Sequence, residues 1–107
     1  MSVLMTFWVK GDPRKLEEYA RANPDTLRKI TDLAKQHGLI AHRFYGTEDG
    51  QIMVVDEWPD AQSFQAFFPQ AEGLIRPMME AVGATSPPGI NFWRKLETGD
   101  DVGWESS

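Results

Sequence analysis

The chain has no cysteine among its 107 residues, only two histidines, and fewer basic than acidic side chains. Each shortage closes a class of function. Without cysteine there are no disulfides, no thiolate zinc sites and no cysteine nucleophile. His37 and His42 stand on either side of a glycine stop, and no carboxylate completes a recognisable spacing, so no metal site is expected. Eleven lysines and arginines against 16 aspartates and glutamates leave a formal charge of −5. Binding nucleic acid takes a basic patch or stripe to neutralise phosphates, so no nucleic-acid partner is expected. No apolar run approaches the ~20 residues of a membrane span. The apolar start MSVLMTFWVKG lacks the basic region and small-residue cleavage site of a signal peptide. The expectation is a soluble, cytoplasmic chain with no membrane partner and no cofactor.

What is present suits one small domain. Hydrophobic residues make up 41% of the chain, too many for disorder. A domain of this length buries about two-thirds of its unfolded surface. The predicted domain spans residues 1–97. An acidic, glycine-containing tail, 98–107, is expected to be mobile, with Trp104 available to anchor it.

Along the chain, Val3 to Lys10 is β-rich, with Val3, Met5, Phe7 and Val9 on one face and Leu4, Thr6 and Trp8 on the other. Asp12 before Pro13 is an N-cap and N1 pair. A helical region follows to His37, with Leu16, Tyr19, Leu27, Ile30 and Ala34 on one face. Pro24 removes a backbone donor, which predicts a kink or break at Asn23, and Asn23 is placed to cap the second part. Leu39 to Gly46 reads as a second strand, with Ile40, His42 and Phe44 on one face and Arg43 and Tyr45 on the other. Thr47-Glu48-Asp49-Gly50 reads as a hairpin turn, with Asp-Gly supplying the positive-φ positions. Gln51 to Trp58 is the third strand and antiparallel to the second. Asp60 caps a second helical region bearing Phe64, Phe67, Phe68, Ala71, Ile75, Met78, Met79 and Val82. Pro69, Gly73 and Pro77 predict two or three joined segments there rather than one rod. Ile90 to Leu96 is the fourth strand.

The order β-α-β-β-α-β predicts an α+β, ferredoxin-like fold: a four-stranded antiparallel sheet with the helices on one face. Several strands are apolar on both sides. Leu4, Trp8, Met53, Val55 and Trp93 cannot lie under the helices if Phe7, Val54 and Phe92 do. A bare second face would expose a larger apolar patch than monomers usually carry. The pattern therefore predicts a homodimer packed sheet to sheet.

The element order, EWPD at Glu57 to Asp60 and SFQAFF at Ser63 to Phe68 resemble the dimeric α/β barrel superfamily, and within it the antibiotic-biosynthesis-monooxygenase-like family. The resemblance covers Ser2 to Leu96. It implies a barrel formed by the sheets of two subunits, with ligands held between one subunit's sheet and its helices. It further implies a cofactor-independent oxygenase, or a relative of one, acting on a flat aromatic or polyketide-like substrate. Trp58 matches a tryptophan that lines the cavity in the monooxygenase and haem-degrading branches. The sequence departs from the pattern at Val54, where the monooxygenases carry an asparagine, and Ala61 to Val82 lacks the iron-ligating histidine of the haem-degrading branch.

Candidate chemistry rests on few residues. Histidine is the side-chain type whose ordinary pKa lies nearest neutral pH, so His42 is the candidate general base if its face meets the helices. Its competing role is a histidine satisfied by a neighbour in the core. Arg94 is the candidate for anion stabilisation. Trp8, Trp58, Phe68 and Trp93 are the candidate substrate-binding aromatics; for Trp58 the alternative is packing of the strand–helix corner beneath Phe64. Charged residues on a covered sheet need partners, which suggests Arg94–Asp56 or Arg43–Glu57 pairs. Two further functions fit the same residues: a non-catalytic ligand-binding or stress-related dimer, and a cyclase or isomerase using His42.

Overall fold

Alternating apolar stretches assemble one sheet in the computed structural model, which describes residues 1–104. The last three residues of the expected tail lie outside the described residues. Strand β1 spans Val3–Lys10, β2 Ala41–Gly46, β3 Gln51–Trp58 and β4 Gly89–Trp93. All pairings are antiparallel, in the order β2-β3-β1-β4. Helices α1 (Pro13–Ala22), α2 (Pro24–Gln36) and α3 (Ala61–Ala81) complete the α+β, ferredoxin-like fold.

Local chemistry sets the boundaries. Asp12 caps α1 by accepting from the Arg14 N–H at 2.9 Å. The break before Pro24 occurs where expected, and Asn23 is both C-cap of α1 and N-cap of α2: its carbonyl accepts from the Thr26 and Leu27 N–H groups, while its backbone N–H and its Nδ2 both donate to the Tyr19 carbonyl rather than its side chain capping α2. Gly38, at φ +96°, lets the chain leave α2 for β2. Asp60 caps α3, accepting from the Ser63 N–H at 2.8 Å and its hydroxyl at 2.9 Å. The Ser63 N–H, then its hydroxyl, holds the Asp60 carboxyl below its usual range.

Three expectations about boundaries are corrected. First, α3 is one helix through Pro69 and Pro77. Both prolines and the residues four before them, Gln65 and Gly73, are exposed, so water can take the carbonyls that lose their helical partners. Second, β4 stops at Trp93, leaving Arg94 to Leu96 outside the sheet. Trp93 pairs with Leu4, and β1 begins one residue earlier at Val3, so there is little partner strand left to extend along. Third, only Gly50 of the hairpin turn has positive φ, at +92°. The loop is three residues, Glu48 to Gly50, closed by Thr47 N–H to the Gln51 carbonyl at 2.9 Å. Gly46 therefore pairs with Ile52, which puts His42 opposite Asp56.

The core lies between one sheet face and the helices. Met5, Phe7, Val9, Ile52 and Trp58 supply the sheet side, and Leu16, Ala34, Phe64, Phe67, Ala71 and Met78 the helix side. Leu4, Trp8, Tyr45 and Trp93 stand on the other face, each more than one-third exposed. Trp104 is 85% exposed, so within this subunit it does not anchor the tail. No described helix is long and apolar enough to cross a membrane.

Candidate functional site

Strand register builds the site. His42, Asp56, Met5 and Phe92 form one cross-strand row on the helix-covered face, and Phe44, Val54, Phe7 and Ile90 form the next. A cavity of about 70 Å³ opens above these rows. Ile30, Thr31 and Ala34 of α2 wall one side, and Ile75, Met78 and Met79 of α3 the other. Phe64, Phe67 and Phe68 close it from the first half of α3. Phe68 stacks on Phe64, with centroids 5.5 Å apart, and leans on Phe7 at 6.0 Å.

The lining is apolar apart from His42, Asp56 and Thr31. The Thr31 hydroxyl donates to the Leu27 carbonyl at 2.9 Å. Asp56 is 5% exposed and is the buried charged residue among those described. Its Oδ1 lies 2.7 Å from His42 Nδ1, and its Oδ2 accepts from Trp58 Nε1–H at 3.1 Å. Burial of a carboxylate is costly unless donors satisfy it, and here each oxygen has one. The His42 side chain is 31% exposed, so the imidazole sits at the edge of the cavity rather than within the core. The Phe44 ring meets it edge to face, with centroids 5.0 Å apart.

The expected site residues do not all meet. His42 and Phe68 line the cavity. Trp58 lies beside it but is completely buried, packed against Phe64 and Phe67 with its N–H spent on Asp56. Its indole thus supports the site from behind and presents no surface to a ligand. Trp8 and Trp93 are corrected outright: alternation puts them on the opposite sheet face, where their N–H groups donate to Gln51 Oε1 and Thr6 Oγ1, both at 2.9 Å. Arg94 is corrected as well. It lies past the end of β4, exposed, while His42 is on the other edge strand. Three strand spacings put their backbones about 14 Å apart, and Arg94 does not line the cavity.

Neither suggested ion pair forms. Asp56 is taken by His42, Arg43 donates to the Tyr45 hydroxyl at 3.2 Å, and Glu57 accepts from the Ser2 hydroxyl. Asp56 is the site residue that sequence reasoning missed. Counting the register outward from a three-residue hairpin loop would have placed it opposite His42. Among the described residues no group of three or more His, Asp or Glu side chains gathers as metal ligands.

No family model matches the sequence, and no curated protein does. Solved structures do. The chain is similar to a monooxygenase from the ActVA-Orf6 gene of Streptomyces coelicolor, solved with nanaomycin D: 15% identity, TM-score 0.63, covering 91% of this chain and 88% of that one. It is similar to SnoaB, a cofactor-independent oxygenase from Streptomyces nogalater: 15% identity, TM-score 0.57, covering 94% and 97%. A dimeric ferredoxin-like protein from an uncultured marine organism matches at 13% identity and TM-score 0.63, covering 90% and 89%. At such identities the likeness is one of fold, and the fold is the ferredoxin-like one of the antibiotic-biosynthesis monooxygenases.

Proposed function

We propose that the chain is a small-molecule-binding homodimer whose cavity serves a cofactor-independent, monooxygenase-like reaction on a flat aromatic or polyketide-like substrate. One observation carries this reading: an apolar, phenylalanine-rich cavity whose single titratable edge is the His42 imidazole, backed by a buried carboxylate. Apolar walls with a few placed polar groups are the usual build of a ligand site. His42 takes a proton from an acidic ring carbon of the substrate. The resulting carbanion supplies electrons to dioxygen. One oxygen atom stays on that carbon, and the other leaves as water with the two hydrogens the carbon has lost.

At about 70 Å³ the cavity is smaller than the roughly 300–1,000 Å³ of ordinary ligand sites, so it widens to take such a substrate. The wall fitted to move is the second half of α3, where Met78 and Met79 follow Gly73 and Pro77.

The homodimer rests on the open sheet face. Eight-residue central strands and four-strand width give it a projected area of order 500 Å². That approaches the ~800 Å² per partner of a standard interface. Its two indole N–H groups already have acceptors within the face, so covering it does not strand those donors. The similarity to a dimeric ferredoxin-like protein supports the same assembly.

Anthrone, a flat aromatic with an acidic ring carbon, tests the reaction by oxygen uptake. The expected result is catalysed uptake by the native chain and a loss of roughly 10²–10⁴-fold in His42→Ala. Equal rates in the two proteins would sink the proposed role of His42. The second reading is a non-catalytic ligand-binding dimer. The small cavity favours it, as does the full satisfaction of buried polar side-chain atoms among the described residues. Calorimetric anthrone binding without oxygen uptake would select it.

A further inference from the structure

We propose that Asp56 and Trp58 are positioning residues that hold His42 with its proton on Nδ1, leaving Nε2 as the free lone pair of the ring. The proposal rests on the reading of His42 as the proton-accepting group at the cavity, and it adds the groups that make the ring a base of defined orientation.

The indole N–H can only donate, so Asp56 Oδ2, 3.1 Å from it, is an acceptor. An ionised carboxylate accepts on both oxygens. With Asp56 ionised, its Oδ1, 2.7 Å from Nδ1, accepts the hydrogen of His42. A free neutral imidazole prefers to carry its proton on the other nitrogen, so this contact reverses the ordinary tautomer. The ring is also fixed in direction. Asp56 lies directly opposite His42 across the β2–β3 pair, and the Phe44 ring blocks a neighbouring side. Trp58, which steadies the far oxygen of Asp56, is completely buried between the strand end and α3. Orientation thus passes from a fully buried part of the core to an imidazole at the cavity edge.

Stability alone gives a weak reason for this arrangement. A buried hydrogen-bonded polar pair is often no more stabilising than apolar residues of the same shape, and apolar residues fill the neighbouring row at Phe44 and Val54. What the carboxylate adds is control of which nitrogen carries the proton. That control is the usual contribution of a hydrogen-bonded group behind a histidine.

The test is the two-bond proton–nitrogen spectrum of the ¹⁵N-labelled chain at about pH 9, above the ordinary imidazole range. The His42 signals are assigned by their absence in His42→Gln. The expected spectrum shows a protonated-type Nδ1 and an unprotonated-type Nε2. Asp56→Ala should return His42 to the ordinary Nε2–H form, and Trp58→Phe should give a mixture. A native His42 with its proton on Nε2 overturns the proposal even if no variant folds. An unchanged tautomer in folded Asp56→Ala overturns the role of Asp56, and an unchanged tautomer in Trp58→Phe removes Trp58.

The spectrum needs no substrate, so a chain that turns over nothing but shows the Nδ1–H form fails the functional reading while the positioning stands. Where anthrone is turned over, Asp56→Ala should lower kcat by about 10²-fold or more with KM little changed, as expected for a misdirected general base. A change in KM alone would count against it.

Discussion

The two faces of the sheet share the same strands and solve opposite problems. On the helix-covered face the polar groups are few, and Asp56 is kept buried there only because His42 and Trp58 each satisfy one of its oxygens. On the open face the large aromatics are the anomaly. Trp8 and Trp93 stand 37% and 52% exposed, with their N–H groups tied to neighbouring side chains. One face hides a charge inside apolar surroundings; the other displays apolar rings to water. The first arrangement costs stability unless it does something, and the second unless something covers it. The same residue type therefore has opposite meanings. Trp58 is buried core and the proposed orienter, whereas Trp8 and Trp93 are exposed rings of the proposed dimer contact.

The sharpest way to break this comparison is to remove one tryptophan from each face. Trp58→Ala should destabilise the fold by about 3–5 kcal/mol, the range for deleting a large buried aromatic, and leaves Asp56 Oδ2 without its donor. Urea unfolding measures it. A loss under about 1 kcal/mol, typical of a surface position, would mean that Trp58 is not the buried support the geometry describes. Trp8→Glu should instead spare the subunit and abolish self-association, placing like charges against each other across the sheet face. Light scattering at micromolar concentration should then give the monomer mass for the variant and the dimer mass for the native chain. A native monomer would overturn the covered-face argument.

The fold was legible because its signals are local and mutually consistent. Asp12-Pro13, Asn23-Pro24, Gly38 and Asp60 each mark a helix boundary by their own backbone chemistry, and the β-rich stretches between them mark the four strands of one sheet. The site was legible only in part. His42 and Phe68 were found by alternation and helical period, which need no knowledge of pairing. Asp56 was missed because its meaning depends on register, and a three-residue loop read as four shifts every cross-strand partner. Arg94, Trp8 and Trp93 were gathered into one site by chemical type. Topology separates them, since β2 and β4 occupy opposite edges and the two tryptophans face away from the cavity.

The mildest test concerns the wall proposed to move. Gly73 sits exposed within α3, and a Cβ built there meets no atom within 4 Å. Space thus gives no reason for a glycine at this point of a helix. Gly73→Ala should raise stability by about 0.5–1 kcal/mol, by removing backbone freedom from the unfolded chain. It should appear as a higher urea midpoint with unchanged slope. Because Ile75, Met78 and Met79 of the cavity wall follow Gly73 on the same helix, stiffening it should also slow anthrone binding. A fall in stability would carry a different lesson. It would mean that α3 bends or separates near Gly73 in solution, as the interrupted pattern Pro69–Gly73–Pro77 suggests on sequence grounds. The closed cavity would then be one state of a wall that already opens.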